Sequence, residues 1–220
     1  MSDPMEFLLW TKGPMFTWAI AIFAIGMAAR LVEIFVLGRA LNYAEPRAGE
    51  WGPGFRTVIT RSVADAGTFA RAPFNVIAGW VWHVGFLIAL LLFVPHIELI
   101  NSVLGLRWPG LPNPLVDAAT AITIVALVAV LIHRLNHPVM KHISTLDDYI
   151  AWTVTFLPLL TGYIAYHRLI NPYPVALGAH ILTAEIFLIV LPFTKLTHIF
   201  TSFVARWYNG ASFGRRGIES

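Results

Sequence analysis

The sequence contains no cysteine. That absence excludes disulfides, cysteine-ligated iron–sulfur clusters and covalently attached c-type haem, whichever side of a membrane the chain faces. Charge is scarce as well. Asp, Glu, Lys and Arg make up 12% of the 220 residues, against roughly 25% in an ordinary soluble domain. Apolar residues take their place, at 57% of the chain with a mean hydropathy of +0.70. A soluble globule of this length has too much surface for its volume to hide so much apolar area. The 15 Lys and Arg barely exceed the 12 Asp and Glu, so a pI near 9.4 is no argument for nucleic acid as a partner. Internal repeats and low-complexity segments are missing too. This is the sequence of a membrane protein, and its eight histidines are the candidate metal ligands.

A bilayer core about 30 Å thick needs roughly 20 apolar residues in a helix. Five stretches qualify: Pro14–Leu37, Ala72–Ile97, Leu115–His133, Tyr149–His167 and Val175–Ala205. The last is interrupted by Glu185 and Lys195. The N-terminus, MSDPMEF, is acidic where a signal peptide carries positive charge, so the first span is expected to be retained. Orientation follows from Lys and Arg in the short loops. One side receives Arg39, Arg47, Arg56, Arg61, Arg71, Arg134, Lys141, Arg206, Arg215 and Arg216; the other receives only Lys12, Arg107 and Arg168. Ten against three predicts an N-terminus outside and a C-terminus in the cytoplasm. Trp10, Trp51, Trp80, Trp108, Trp152 and Trp207 fall near span ends, as an aromatic belt does. The expected fold is all-α, one integral membrane domain over residues 1–220 built as a five-helix bundle.

Ionisable residues inside a span are costly and point to function. His83 lies about a third of the way into span two and His96 near its far end. His180 and His198 lie towards opposite ends of span five. The two spans run antiparallel, so His83 shares a depth with His198, and His96 with His180. Two cross-helix pairs at different depths suit two bis-histidine haems stacked through a bundle. Eighteen residues make about five turns, so His180 and His198 project from one helix face. Thirteen residues leave His83 and His96 about 140° apart on an ideal helix. Pro95 cannot donate its backbone bond and is expected to kink that turn and re-aim His96. Gly79, Gly85 and Gly178, beside the histidines, are positions where a flat macrocycle can approach the backbone. The plainer reading makes all four histidines polar residues bonded between helices.

Span two, GWVWHVGFLIALLLFVPH, and span five, LGAHILTAEIFLIVLPFTKLTHIF, resemble those of the cytochrome b (gamma) subunit family of respiratory nitrate reductase. KGPMFTWAIAIFAIGMAARL in span one and HRLNHPVMKHISTLDDYIAW across spans three and four extend the likeness over nearly the whole chain. The thirteen-residue histidine interval, STLDDY and the AYH ending of span four look closest to the membrane cytochrome b subunits of sulfite-reductase-associated and heterodisulfide-reductase-like complexes. The resemblance implies two non-covalent haem b groups. His83 and His198 would ligate the one nearer the cytoplasm, and His96 and His180 the one nearer the outer face. It also implies an anchor in the inner (cytoplasmic) membrane, passing electrons between the quinone pool and a cytoplasmic iron–sulfur or molybdenum oxidoreductase subunit.

Further residues fit that scheme, each beside a plainer reading. His167, ending span four, can donate to a quinone carbonyl or be an ordinary interfacial histidine; it is also the alternative to His96 as a haem ligand. Glu98 and Glu185 are candidates for moving quinol protons, and Glu185, in the apolar region, calls for protonation or a partner. Its plainer role is a bond to a ligand histidine. Lys195, three residues before His198, can meet a haem propionate or snorkel to headgroups. Arg30 and Glu33 are expected to pair within span one. His133, His137 and His142 are split by Pro138, which counts against a metal site. The arginines between Arg39 and Arg71 can face anionic lipid or a partner subunit. Two other functions remain open: a stand-alone cytochrome b561-like transmembrane reductase, and a small proton-coupled transporter without haem.

Overall fold

A computed structural model describes residues 3–37 and 43–218, so Arg39 and Ser220 lie outside the described residues. Among the described residues ten helices follow one another: α1 (Pro4–Val36), α2 (Trp51–Thr60), α3 (Ala66–Arg71), α4 (Pro73–Leu91), α5 (Val94–Leu104), α6 (Asn113–Asn136), α7 (Pro138–Ile143), α8 (Leu146–Tyr166), α9 (Tyr173–Phe193) and α10 (His198–Arg215). No strand occurs among them. Five helices, α1, α4, α6, α8 and α9, have the length and apolarity to cross a membrane. In such a medium only structures that satisfy their own backbone are viable, and uninterrupted helices do so.

Two of the expected spans end early, each where proline removes a donor. Span two stops at Leu91 and resumes as α5, with Phe93 extended (φ −83°, ψ 123°) and Pro95 in the first turn of the new helix. Span five tightens into a 3₁₀ turn over Leu191–Phe193, around Pro192, and a new helix starts at His198. The stretch between spans one and two, expected as a loop, contains α2 and α3. Asp65 caps α3, accepting from the Thr68 amide (3.0 Å) and hydroxyl (2.6 Å), which holds its carboxyl below its ordinary pKa. A capping box of Thr145 and Asp148 starts α8, with the Asp148 carboxylate accepting from the Thr145 amide at 2.8 Å.

The chain forms two compact units. The first comprises Met1–Phe23 and Phe74–Val190. Here α9 packs on α8, α6 packs on α8, and the N-terminal part of α1 packs on α9. Small residues let these backbones approach: Gly85 faces the Thr123 side chain, and Gly178 faces the Phe7 ring. Buried hydroxyls return to their own helices, Thr11 to the Leu8 carbonyl (2.9 Å) and Thr123 to Ala119 (2.7 Å). Other bonds cross between helices, from Trp152 Nε1 to the Leu127 carbonyl (2.9 Å) and between Thr161 and Thr183 (2.9 Å).

The second unit comprises Ala24–Pro73 and Leu191–Ser220. It is held by the antiparallel pair α2 and α10. Gly210 lies against Pro53 and Thr57, Gly54 lies under the Trp207 ring, and Gly214 lies against Pro53. Arg215 closes the pair through Glu50 (2.7 Å), and Arg206 donates to Ser62 (3.0 Å). Arg30 bonds Glu33 at 2.7 Å, as the spacing predicts, and also donates to the Pro192 carbonyl at 3.0 Å.

A Cβ at position 210 would enter the space of Thr57 and of the Pro53 carbonyl, which is backbone and cannot swing aside. Gly210→Ala is therefore expected to destabilise the α2–α10 pair by about 1–3 kcal/mol. Thermal unfolding in detergent should show a lower midpoint for Gly210→Ala. An unchanged midpoint would mean the pair is not close-packed there.

Candidate functional site

The site grows from the broken end of α4. In a continuous helix the Ala89 carbonyl would accept from the Phe93 amide and the Leu91 carbonyl from residue 95. Phe93 is extended and residue 95 is proline, so both acceptors need other donors. His96 Nδ1–H donates to the Ala89 carbonyl at 2.7 Å, and Trp108 Nε1–H to the Leu91 carbonyl at 2.6 Å. The Leu92 carbonyl accepts from the Leu111 amide at 2.9 Å. The chain after the break thus folds back over the helix end, and His96 is one of its caps.

That cap delivers His96 to His180. Their ring centres stand 5.9 Å apart with planes inclined at 23°. His180 is held on α9 by its own backbone bond, Nδ1–H to the Pro158 carbonyl of α8 at 3.1 Å. It also lies directly on Gly162 of α8, where a Cβ would stand 2.9 Å from His180 Cε1. A carbonyl can only accept, so each Nδ1 carries the proton and each Nε2 keeps its lone pair. With nitrogen–metal bonds of about 2.0 Å, two axial imidazoles place their ring centres about 6 Å apart. The His96–His180 pair therefore has the ring spacing and the tautomer that a bis-histidine iron would need.

His83 and His198 belong to different units, and each has its own surroundings. His83 Nδ1–H donates to the Gly79 carbonyl at 2.6 Å, and its ring stacks on Trp82 at 3.5 Å. His198, at the start of α10, donates through Nδ1–H to the Lys195 carbonyl at 2.7 Å. Both bonds set the same tautomer as in the His96–His180 pair. Of the glycines expected to admit a macrocycle, Gly79 has open space where a side chain would begin, whereas Gly85 and Gly178 face protein side chains. Lys195 is exposed on the 3₁₀ turn before α10.

His167 has the opposite arrangement. Its Nε2 meets the Asp117 carboxylate, on the first turns of α6, at 2.8 Å. Glu98 is ion-paired with Arg107 at 2.7 Å beside an open groove of about 430 Å³ lined also by Ile97 and Trp108. Glu185 is 1% exposed, and neither carboxyl oxygen has a hydrogen-bond partner among the described residues. Among those residues no hydrogen bond or ion pair joins any two of His167, Glu98 and Glu185. His133 lies tilted against Phe74, with ring centres 4.5 Å apart, and His137 caps α7. Among the described residues no three His, Asp or Glu side chains converge as a metal-ion site. Sequence reasoning misses Asp117, although it is the one acidic residue within the expected third span, and that is the signal that could have found it. Gly162 gives no such signal, because only the fold brings it under His180.

No family model matches the chain. It is similar to a protein of Nitratidesulfovibrio vulgaris (strain Hildenborough) that carries the name "Protein" and no stated activity. The two are 30% identical over 215 residues, covering 93% of each chain. Identity sustained over almost the full length of both means common descent, and the chain belongs to the family of this N. vulgaris protein.

Proposed function

We propose that the protein is a di-haem b, quinone-reactive membrane subunit. It exchanges electrons between the quinone pool of the cytoplasmic (inner) membrane and a cytoplasmic iron–sulfur or molybdenum oxidoreductase partner. The observation that carries this reading is the His96–His180 pair, two imidazoles 5.9 Å apart with both Nδ1 atoms committed to backbone carbonyls. Histidines that merely bridge helices have no reason to stand this close with near-parallel rings and both Nε2 lone pairs kept. His96 and His180 hold the outer haem, and the sequence register assigns His83 and His198 to the inner one. Held by these histidines, haem would supply reversible one-electron storage.

The protein's own groups do the rest. The carbonyls of Ala89, Pro158, Gly79 and Lys195 orient the four rings and raise the basicity of each Nε2. Gly162 leaves room for the Cε1–Nδ1 edge of the His180 ring against α8. Lys195 is the candidate for a propionate. His167 and the two carboxyl groups, Glu98 and Glu185, serve quinone binding and proton movement. The excess of Lys and Arg on one side supports an N-terminus outside and a C-terminus in the cytoplasm.

Three outcomes test this. A pyridine haemochrome assay should find two haems per chain. His96→Ala and His180→Ala should remove the same one, and His83→Ala and His198→Ala the other. Less than one haem per chain in folded wild type would sink the reading, and loss of a single common centre in His83→Ala and His180→Ala would overturn the pairing. Gly162→Val is expected to push the His180 ring off α8 and cost more than half of the outer haem while sparing the inner one; full retention of both would mean Gly162 does not position the ligand. Reporter fusions after Ser220 should be active only as cytoplasmic reporters, and activity confined to an exported phosphatase would reverse the orientation.

A further inference from the structure

His167 differs from the four histidines of the proposed haem sites, and its surroundings describe a second kind of site. Helix α8 ends sharply at this residue. The Leu169 amide bonds the Ile164 carbonyl (3.0 Å) and the Arg168 amide bonds Ala165 (3.2 Å), with Arg168 in the left-handed region at φ 52°. A non-glycine residue there costs about 1–2 kcal/mol, and among the described residues Arg168 is the one that does so. The turn leaves His167 on the helix end, facing α6, where Asp117 meets it. Both side chains are about one-third exposed, at 33% and 30%. Exposed Tyr166, Leu169 and Ile170 flank the pair in sequence and give it an apolar rim.

A carboxylate accepts, so His167 carries its proton on Nε2 and keeps the lone pair on Nδ1. This reverses the tautomer of the four haem-ligand candidates. A histidine oriented by a carboxylate is the arrangement of a general base. Its ring also connects to the outer pair through aromatic contacts. His167 meets Tyr166 edge-on at 5.1 Å, Tyr166 meets Phe93 at 5.8 Å, and Phe93 meets His96 at 5.2 Å. A proton acceptor thus stands three ring contacts from the proposed iron ligand.

We infer that His167 and Asp117 form the proton-accepting dyad for a membrane hydroquinone, with Asp117 as the positioning residue. The inference rests on the proposed reading of the chain as a quinol-reactive cytochrome b. Quinol oxidation releases two electrons and two protons. The electrons go singly to two ferric haem irons, each reduced to ferrous. Each proton leaves a quinol hydroxyl for His167 Nδ1, breaking the O–H bond and forming N–H. The resulting imidazolium, held through Nε2–H on Asp117, passes its extra proton to water on the exposed side before the second transfer. Quinone reduction runs the same steps backwards.

The test uses the purified, haem-loaded protein with a short-chain quinol. Asp117→Asn should leave haem content and reduction by a one-electron mediator unchanged. It should lower the saturating rate of haem reduction by quinol at least about tenfold, since general-base action contributes about 10²–10⁴, with KM little changed. Asp117→Glu should recover most of the loss, and His167→Gln should match Asp117→Asn. A readout independent of turnover is histidine-selective ¹⁵N NMR of the reduced protein. His167 should appear as the Nε2–H tautomer in wild type and lose that preference in Asp117→Asn. Wild-type quinol rates in Asp117→Asn, an Nδ1–H tautomer of His167 in wild type, or no rescue by Asp117→Glu would each overturn the dyad. A wild-type protein without haem would instead fail at the proposed function, before the dyad is reached.

Discussion

The structure around the histidine pair depends on one acceptor that its own helix leaves unsatisfied, the carbonyl of Ala89. Leaving a buried carbonyl unpaired costs about 1–3 kcal/mol, more than the roughly 1 kcal/mol a typical bond contributes net. The extended Phe93 removes its helical donor, and His96 Nδ1–H replaces that donor at 2.7 Å. The penalty for not making the bond therefore fixes the ring. Trp108 and Leu111 satisfy the neighbouring carbonyls in the same way, so the return of the chain over the helix end is set by backbone accounting. The extended Phe93 orphans the Ala89 carbonyl, and Pro95 orphans that of Leu91.

Tautomer divides the histidines into two kinds. Those at positions 83, 96, 180 and 198 donate through Nδ1 to carbonyls, whereas His167 engages a carboxylate through Nε2. A carbonyl fixes a neutral ring and leaves the nitrogen on the far end of the side chain as a donor of electron density. A carboxylate favours a ring that gains a proton. The first suits holding a metal and the second suits moving a proton.

Much of this is legible in the sequence. Five apolar runs appear in the structure as helices with the length to cross a membrane, and the Arg30–Glu33 pair forms as its spacing predicts. The proline at 95 announces a disturbance beside His96. Its form is not legible, because it depends on which carbonyls are orphaned and which later side chains reach them. The same limit hides the second break at Pro192, where the apolar pattern runs on towards α10 but the backbone does not, and it hides α2 in the stretch between spans one and two. Asp117 stands out only as the one acidic residue of the third span; its partner lies 50 residues away in sequence. Gly85 and Gly178 show the converse error. Beside a histidine a glycine invites a cofactor, yet here it admits a neighbouring helix.

The carbonyl anchors have a consequence for how such a protein is made. Rings tied to their own backbone take up their positions as the helices pack, without help from anything they later bind. On the proposed reading, insertion and helix association would be completed first, and haem would then meet rings that are already placed. The entropy of arranging the ligands is met during folding. On that reading, synthesis of the chain and supply of haem would not have to coincide in time.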